Sequence, residues 1–385
     1  MSRIGIFGGT FNPPHQGHVE AARACVRQLG LDRLLLVPAG LPPHKALPES
    51  TPTAVHRRRM AELCAREIPG AQALDIELRR EGKSYTVDTV RELRQRFPGD
   101  TLWLVVGDDM LESFGRWREP AEIARLCRLA AVQRAPEKAA DIQRAAERLR
   151  DEIGAQVDII QNAVLPLSST QYRAGGPPGM LLPAVTDYIE DNGLYRPRPA
   201  LDDIRARVAG ALSPHRLRHT LGVEQEAACL AAIWDEDEYD ARLAALLHDS
   251  TRELSVQKQL NLLEKYDIIN EYDLDEYPQL LHALSGAAAA RECGASRAVA
   301  RAVASHTLGA VNMSCLGKII FIADATEPGR SYAGVQELRR LARENLDAAV
   351  IASMEQTDAY LRAQGKTPHP AAAAALLAMK REIPT

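Results

Sequence analysis

The sequence is short of the features that mark whole classes of protein. Basic residues do not predominate: 47 Lys and Arg face 51 Asp and Glu, a formal charge of −4. Nucleic-acid binders and peripheral membrane proteins usually carry a basic surplus, so neither is expected. No apolar run approaches the roughly 18 residues that a spanning helix needs, so no membrane span is expected. The opening MSRIGIFGGTF has no charged-then-apolar leader, and no signal peptide is expected. The six cysteines (Cys25, Cys64, Cys127, Cys229, Cys293, Cys315) are scattered and form no CxxC pair. That argues against a disulfide framework or a zinc ribbon, and for the cytoplasm. Aromatics are only 5%, so any stacking platform must be local. Neither GxGxxG nor GxxxxGKS/T occurs, which removes support for a dinucleotide-hydride fold and for a Walker NTPase.

What remains is a chain of 385 residues, 46% hydrophobic, long enough for about two to three domains with real cores. Its grammar changes near residue 196. Before it, short aliphatic runs (Ile4–Phe7, Leu34–Val37, Leu102–Val106, Leu129–Val132, Val157–Ile160) alternate with helical stretches. Such alternation predicts βαβ units and a parallel sheet covered on both faces. After the proline-bearing break at 195–199, helical patterns fill Ile204–Ala211, Glu224–Trp234, Ala241–His248, Val256–Lys265, Ser296–Ser305 and Val335–Gln364. The second half is therefore expected to be all-α. The acidic run Asp235–Glu238 reads as a solvated loop and helix start.

The first cluster of chemistry is Gly5 to His18, GIFGGTFNPPHQGH. Gly8 and Gly9 end the first strand and let backbone N–H groups approach a phosphate. His15 and His18 are three residues apart, on one face of the first helical turn, where both can donate to phosphate oxygens. A capping role for His15 and a half-buried surface role for His18 is the plainer reading of the pair taken alone.

With the other motifs, residues 1–195 resemble the bacterial nicotinate-nucleotide adenylyltransferases. The carriers are GIFGGTFNPPHQGH, Pro42-Pro43-His44-Lys45, Ser84-Tyr85-Thr86-Val87-Asp88-Thr89, Gly107-Asp108-Asp109 followed by Trp117, and Leu167-Ser168-Ser169-Thr170-Gln171-Tyr172-Arg173. By this resemblance His18, Ser169, Thr170 and Arg173 hold the ATP phosphates, with His15 beside them. Lys45 neutralises the mononucleotide phosphate, Asp109 lies near the adenosine ribose, and Ser84, Tyr85, Thr86 and Trp117 form the pyridine pocket. Gly8, Gly9, Thr10, Phe11 and Gly107 complete the implied binding set. The implied reaction is in-line attack of nicotinate mononucleotide on the α-phosphorus of ATP, with Mg²⁺ carried by the triphosphate.

The second cluster is spread through the helical half, which holds six of the ten histidines. His248-Asp249 closes the apolar run Leu243–Leu247, and Asp324 closes Ile319–Ala323. Charged groups there are costly unless a metal or partner compensates them, so two acids reaching into a helical core suggest a buried cation. Imidazole and carboxylate suit iron, manganese or magnesium-like ions.

The order His219, His248-Asp249, His282, His306, Asp324 resembles the HD phosphohydrolase superfamily. Residues 200–380 are closer still to the YqeK-type symmetrical diadenosine-tetraphosphatases, through Arg218-His219-Thr220, Leu247-His248-Asp249, Leu281-His282, His306-Thr307-Leu308-Gly309 and Ala323-Asp324-Ala325-Thr326-Glu327-Pro328-Gly329-Arg330. The resemblance implies a dinuclear centre of iron or manganese. His219, His248, Asp249 and Asp324 hold one ion; His282 and His306, with Asp249 bridging, hold the other. Asp249 is thereby catalytic, and Arg252 and Arg330 contact phosphate. Arg252 stands where the family often carries Lys.

The expected organisation is an α/β Rossmann-like nucleotidyltransferase domain (1–195), a linker (196–203) and an all-α HD domain (204–385). The substrates expected are ATP, nicotinate mononucleotide and diadenosine tetraphosphate. An HD half that cleaves another nucleotide, or only binds one as a regulatory module, stays open, as does a homodimer.

Overall fold

The aliphatic runs of the first half pair into one parallel sheet. In this computed structural model residues 1–42, 47–133, 138–162, 167–177, 179–269 and 276–382 are described. The strands are β1 (Arg3–Gly9), β2 (Arg33–Pro38), β3 (Ala71–Ala73), β4 (Thr101–Gly107), β5 (Arg128–Val132) and β6 (Val157–Ile160), in the order β3-β2-β1-β4-β5-β6. β1 lies between β2 and β4, with Gly8 opposite Val37 and Phe7 opposite Val105. Helices cover both faces, so Leu34, Leu35, Leu102 and Leu129 are fully buried, and the inner strands read as mostly apolar runs rather than alternations, while the edge strand β6 carries Asp158 and is only partly buried. The chain reverses its winding between β1 and β4. In open parallel sheets ligands bind at that reversal, outside the carboxyl ends of the strands. The short edge strand β3, Ala-Gln-Ala, carries no branched residue and is not among the expected runs.

Chain contacts divide the molecule into two units, Met1–Ile189 and Glu190–Thr385. Arg198 and Pro199 pack within the second unit. The Arg198 guanidinium lies 3.4 Å from Asp237, and the Tyr239 hydroxyl donates to the Pro199 carbonyl at 2.6 Å.

All regular structure described in the second unit is helical. Ser213, Asp237, Ser255, Ser296, Ser314 and Asn345 each accept a backbone N–H in the first turn of the helix they precede. Caps of this kind contribute about 1 kcal/mol each and fix where helices start. Two expectations change accordingly. The helical stretch 335–364 is broken at Asn345 into Val335–Glu344 and Leu346–Ala363. Asp237 of the acidic run is buried rather than solvated, because it is both a cap and the partner of Arg198. Among the described residues no helix is long and apolar enough to cross a membrane.

Candidate active sites

In the first unit, two cavities open at the reversal between β1 and β4. One, of about 300 Å³, is lined by Thr10, His15, His18, Ser169, Thr170 and Arg173. The other, of about 530 Å³, is lined by Gly8, Gly9, Thr10, His18, Ser84, Tyr85, Thr86, Gly107, Asp109 and Trp117. Thr10 and His18 belong to both walls, so two ligands lying in these cavities would meet at His18.

His18 lies in the first turn of the helix Gln16–Leu29, and its Nδ1 accepts the His15 N–H at 3.2 Å. That bond leaves the proton of a neutral ring on Nε2, a donor for an anionic oxygen. The short helix Ser169–Arg173 is tied to the same loop from more than 150 residues away. Ser169 Oγ donates to the Pro13 carbonyl at 2.8 Å, and Arg173 donates to the Asn12 carbonyl. Trp117 packs on Phe114, ring centroids 5.1 Å apart, and is only half-buried. The Phe11 ring is buried against His18 and lines neither cavity. Lys45, with Pro43 and His44, lies outside the described residues.

In the second unit, five segments bring six donors together. His219 comes from the helix Pro214–Ile233, and His248-Asp249 follow the helix Glu238–Leu247. His282 begins the helix Leu281–Glu292, His306 closes Arg297–Ser305, and Asp324 lies in Cys315–Thr326. The helix of His282 comes close to His248 because residue 286 is glycine: a Cβ there would lie 3.1 Å from the His248 carbonyl oxygen.

The orientation of the rings is consistent throughout. Nδ1 of His248, His282 and His306 faces the carbonyl three residues earlier, at 2.6, 2.5 and 2.7 Å. Nδ1 of His219 faces the Glu327 carboxylate at 3.2 Å. Each Nδ1 therefore holds the ring proton, and each Nε2 turns a lone pair inward. Asp249 divides its oxygens between the rings. Oδ2 lies 3.9 and 3.6 Å from Nε2 of His219 and His248; Oδ1 lies 3.2 and 3.7 Å from Nε2 of His282 and His306. Asp324 Oδ1 is 3.1 Å from His219 Nε2.

This donor set fits cations. His248 Nε2 is buried without a hydrogen-bond partner, and Nε2 of His282 faces Nε2 of His306 at 3.2 Å. The Arg252 guanidinium, 2.9 Å from His282 Nε2, already offsets the repulsion between those two lone pairs, so the unpartnered His248 Nε2 is the donor that most calls for an ion. His219, His248 and Asp324 form one group of ligand atoms mutually within 4.8 Å, and His248, Asp249 and His306 form another.

Titration follows the same logic. Burial pushes His248 down to about 4 and lowers His282, so both rings are neutral and ligand-competent near pH 7. Burial alone would raise Asp249 and Asp324. The surrounding imidazoles outweigh it and hold both carboxyls below the usual range. For His219 burial also opposes the charge, but Asp324 and Glu327 prevail and the net shift is upward.

Comparison with known proteins follows this division. The Cytidylyltransferase-like family matches residues 6–175, and the HD domain family matches residues 216–329. Over 200 residues the chain is 34% identical to the nicotinate-nucleotide adenylyltransferase of Bacillus subtilis (strain 168), covering 51% of this chain and 99% of that protein. The chain belongs to the nicotinate-nucleotide adenylyltransferase family. A Synechococcus protein (strain JA-3-3Ab) named "Probable nicotinate-nucleotide adenylyltransferase" is 38% identical over 199 residues, 50% of this chain and 94% of that one. Among solved structures, a protein described as a "predicted HD superfamily hydrolase involved in NAD metabolism" from Clostridium acetobutylicum is 34% identical. It covers 49% of this chain and 100% of its own, with a TM-score of 0.45.

Several residues at these sites are not apparent from sequence. In the adenylyltransferase half, the Arg118 guanidinium lies over the Tyr85 ring, 4.5 Å from its centroid, and both line the larger cavity. Glu77 borders the same cavity, and burial raises its pKa. In the HD half, Arg216 reaches Asp249 Oδ2 at 2.8 Å and Glu327 backs His219. Arg216 stands three residues before His219 and so shares its helix face, a spacing that could have flagged it. The two arginines expected from sequence lie beside them: Arg252 reaches His282 Nε2 at 2.9 Å, and Arg330 reaches Asp324 Oδ1 at 2.6 Å.

Proposed function

We propose that the chain is a bifunctional cytoplasmic enzyme acting on adenine-nucleotide polyphosphates at two independent sites. In the N-terminal unit, nicotinate mononucleotide attacks the α-phosphorus of ATP. The new P–O bond gives nicotinate adenine dinucleotide, and the α–β bridging bond breaks to release pyrophosphate. The observation that carries this reading is the pair of cavities meeting at His18. ATP phosphates take the His15, His18, Ser169, Thr170 and Arg173 side, with Mg²⁺ on the triphosphate. The mononucleotide takes the Ser84–Thr86 and Trp117 side. His18 Nε2–H donates to a phosphate oxygen at the meeting point, where charge builds up during transfer. The rest of catalysis is alignment of the two substrates. Lys45 neutralises the mononucleotide phosphate.

In the C-terminal unit we assign hydrolysis of diadenosine tetraphosphate by one water to two ADP, as in the YqeK-type hydrolases. This rests on the four inward Nε2 atoms arranged around Asp249 and Asp324. His219, His248, Asp249 and Asp324 would hold one divalent ion; His282 and His306, with Asp249 shared, would hold the second. Iron is the first candidate and manganese the next. Such a pair supplies a polarised water and neutralises charge on the leaving oxygen. The chain's own residues do the rest. Asp249 and Asp324 stay ionised, the backbone carbonyls fix the rings, and Arg216, Arg252 and Arg330 receive the polyphosphate with charge-assisted bonds.

The test is product analysis with metal-loaded protein and diadenosine tetraphosphate. ADP as sole product supports the symmetrical reaction. ATP plus AMP contradicts it, and binding without turnover makes the domain a nucleotide-binding module instead.

A further inference from the structure

The second unit contains a cavity that plays no part in either site described above. Its volume is about 680 Å³, and its wall is built around Tyr277, Leu280, Thr307, Phe321, Met354 and His369. We propose that it is the nucleoside subsite of the hydrolase, taking the purine base and ribose at one end of a nucleoside polyphosphate. The proposal rests on the reading of the HD centre as a polyphosphate hydrolase.

Position is the first argument. Three wall residues adjoin three of the inward-facing donors. The Gln279 carbonyl accepts from His282 Nδ1, Thr307 follows His306, and Phe321 lies one turn before Asp324 on the same helix. At 1.5 Å rise per residue, Phe321 and Asp324 are only about 4.5 Å apart along the helix axis. A ribose and its α-phosphate can bridge that step, with the next phosphates lying at the centre.

Chemistry is the second. The cavity is large enough for a small-molecule site, for which about 300–1,000 Å³ is usual. Its wall is mainly apolar and holds aromatic rings: Phe321, and Tyr277 set edge-on to His369 with centroids 4.8 Å apart. Aromatics are few in this chain, and a flat base stacks favourably on such a surface. Thr307 belongs to the wall, and its hydroxyl has almost no accessible surface and no hydrogen-bond partner. A χ1 rotation would turn that unpaired hydroxyl into the cavity, where a ring nitrogen or exocyclic group of a base would satisfy it. Charge is segregated in the matching sense. Arg216, Arg252 and Arg330 gather at the acids of the centre, while the cavity behind it is mostly uncharged. That is the pattern a polyphosphate with an aromatic end would meet.

The test compares diadenosine tetraphosphate with inorganic tetrapolyphosphate, which lacks a nucleoside, on the metal-loaded full chain. Ala372→Phe fills the cavity, Tyr277→Ala removes a ring and Thr307→Val removes the hydroxyl. The ratio of kcat/KM for the nucleotide over the inorganic chain is expected to fall about tenfold or more in Ala372→Phe, equivalent to about 1.4 kcal/mol. It should fall severalfold in each of the other two. A ratio equal to wild type in all three overturns the proposal. Because variants can misfold, the wild-type chain is also labelled with an 8-azidoadenosine polyphosphate. Labelling of peptides containing Tyr277 or His369 supports the subsite; labelling confined to other peptides of this unit overturns it. A wild-type chain that binds the label there but hydrolyses neither compound keeps the cavity and rejects the hydrolase reading.

Discussion

Replacing Glu327 by Gln isolates one carboxylate behind the proposed cation centre. Glu327 is buried, and its two oxygens have separate tasks. Oε1 faces His219 Nδ1 at 3.2 Å, and Oε2 accepts the Gly329 N–H at 2.5 Å. Gly222 makes room for it, since a Cβ there would fall 2.5 Å from Oε2. Gln preserves the volume but has one acceptor oxygen. If that oxygen serves Gly329, the amide NH₂ faces His219 Nδ1. The ring must then become an acceptor at Nδ1 and carry its proton on Nε2, where a metal would bind. If the oxygen serves His219, the Gly329 N–H loses its partner and the charge-assisted bond becomes a neutral one, weaker by about 1 kcal/mol. Loss of an outer partner of a metal-binding histidine typically costs about 10–100-fold in affinity, so Glu327→Gln should weaken one cation by that factor. The assay is calorimetric titration of metal-free protein with Mn²⁺, with helical content followed by circular dichroism. Two binding steps are expected in wild type, and one weakened step with unchanged helicity in Glu327→Gln. Two unaltered steps, or loss of both together, would refute the reasoning.

Three further outcomes are expected. His18→Ala should lower pyrophosphate release from ATP and nicotinate mononucleotide by about 10²–10³, the usual cost of one transition-state donor, with the melting temperature little changed; near-normal release would remove His18 from the meeting point. Asp249→Ala should abolish hydrolysis of diadenosine tetraphosphate while leaving adenylyl transfer intact, and a parallel loss of both would show that the two sites are coupled. Burial pushes the Cys25, Cys64 and Cys127 thiols up to about 12, so at pH 8 almost none of each is thiolate. A chromogenic disulfide should therefore modify exposed Cys229 quickly and these three only after unfolding; rapid modification of any of the three in folded protein would contradict their burial.

The four inner strands, β1, β2, β4 and β5, could be read from sequence because burial inside the sheet demands mostly apolar runs; β6, at an edge, was legible through the three aliphatic residues around Asp158, which pairs with Arg128. β3 could not, because an edge strand of Ala-Gln-Ala gains its place from pairing with β2 rather than from composition. The helical half was legible as a class, but not in its boundaries. Ala-Leu-Arg-Glu patterns run through Asn345 without a break, and only the cap shows the new start. His248-Asp249 and Asp324 could be found because each closes an apolar run that makes a charged or polar group conspicuous; His219, His282 and His306 were legible through the order they share with the HD phosphohydrolases. The role of Glu327 depends on an approach between distant helices, the one Gly222 permits, and Arg216 is marked in sequence only by its spacing from His219. Arg118 escaped notice because its place over Tyr85 is fixed by tertiary packing between segments more than 30 residues apart.

The most direct test of two separate sites on one chain is to assay a single preparation for both reactions, before and after metal removal. Pyrophosphate is measured from ATP and nicotinate mononucleotide, and ADP from diadenosine tetraphosphate. We expect both activities in the metal-loaded protein. After chelation and return of Mg²⁺ alone, adenylyl transfer should recover fully, and hydrolysis should return only when iron or manganese is restored. Absence of ADP formation under every metal condition, or simultaneous loss and recovery of both activities, would contradict the account.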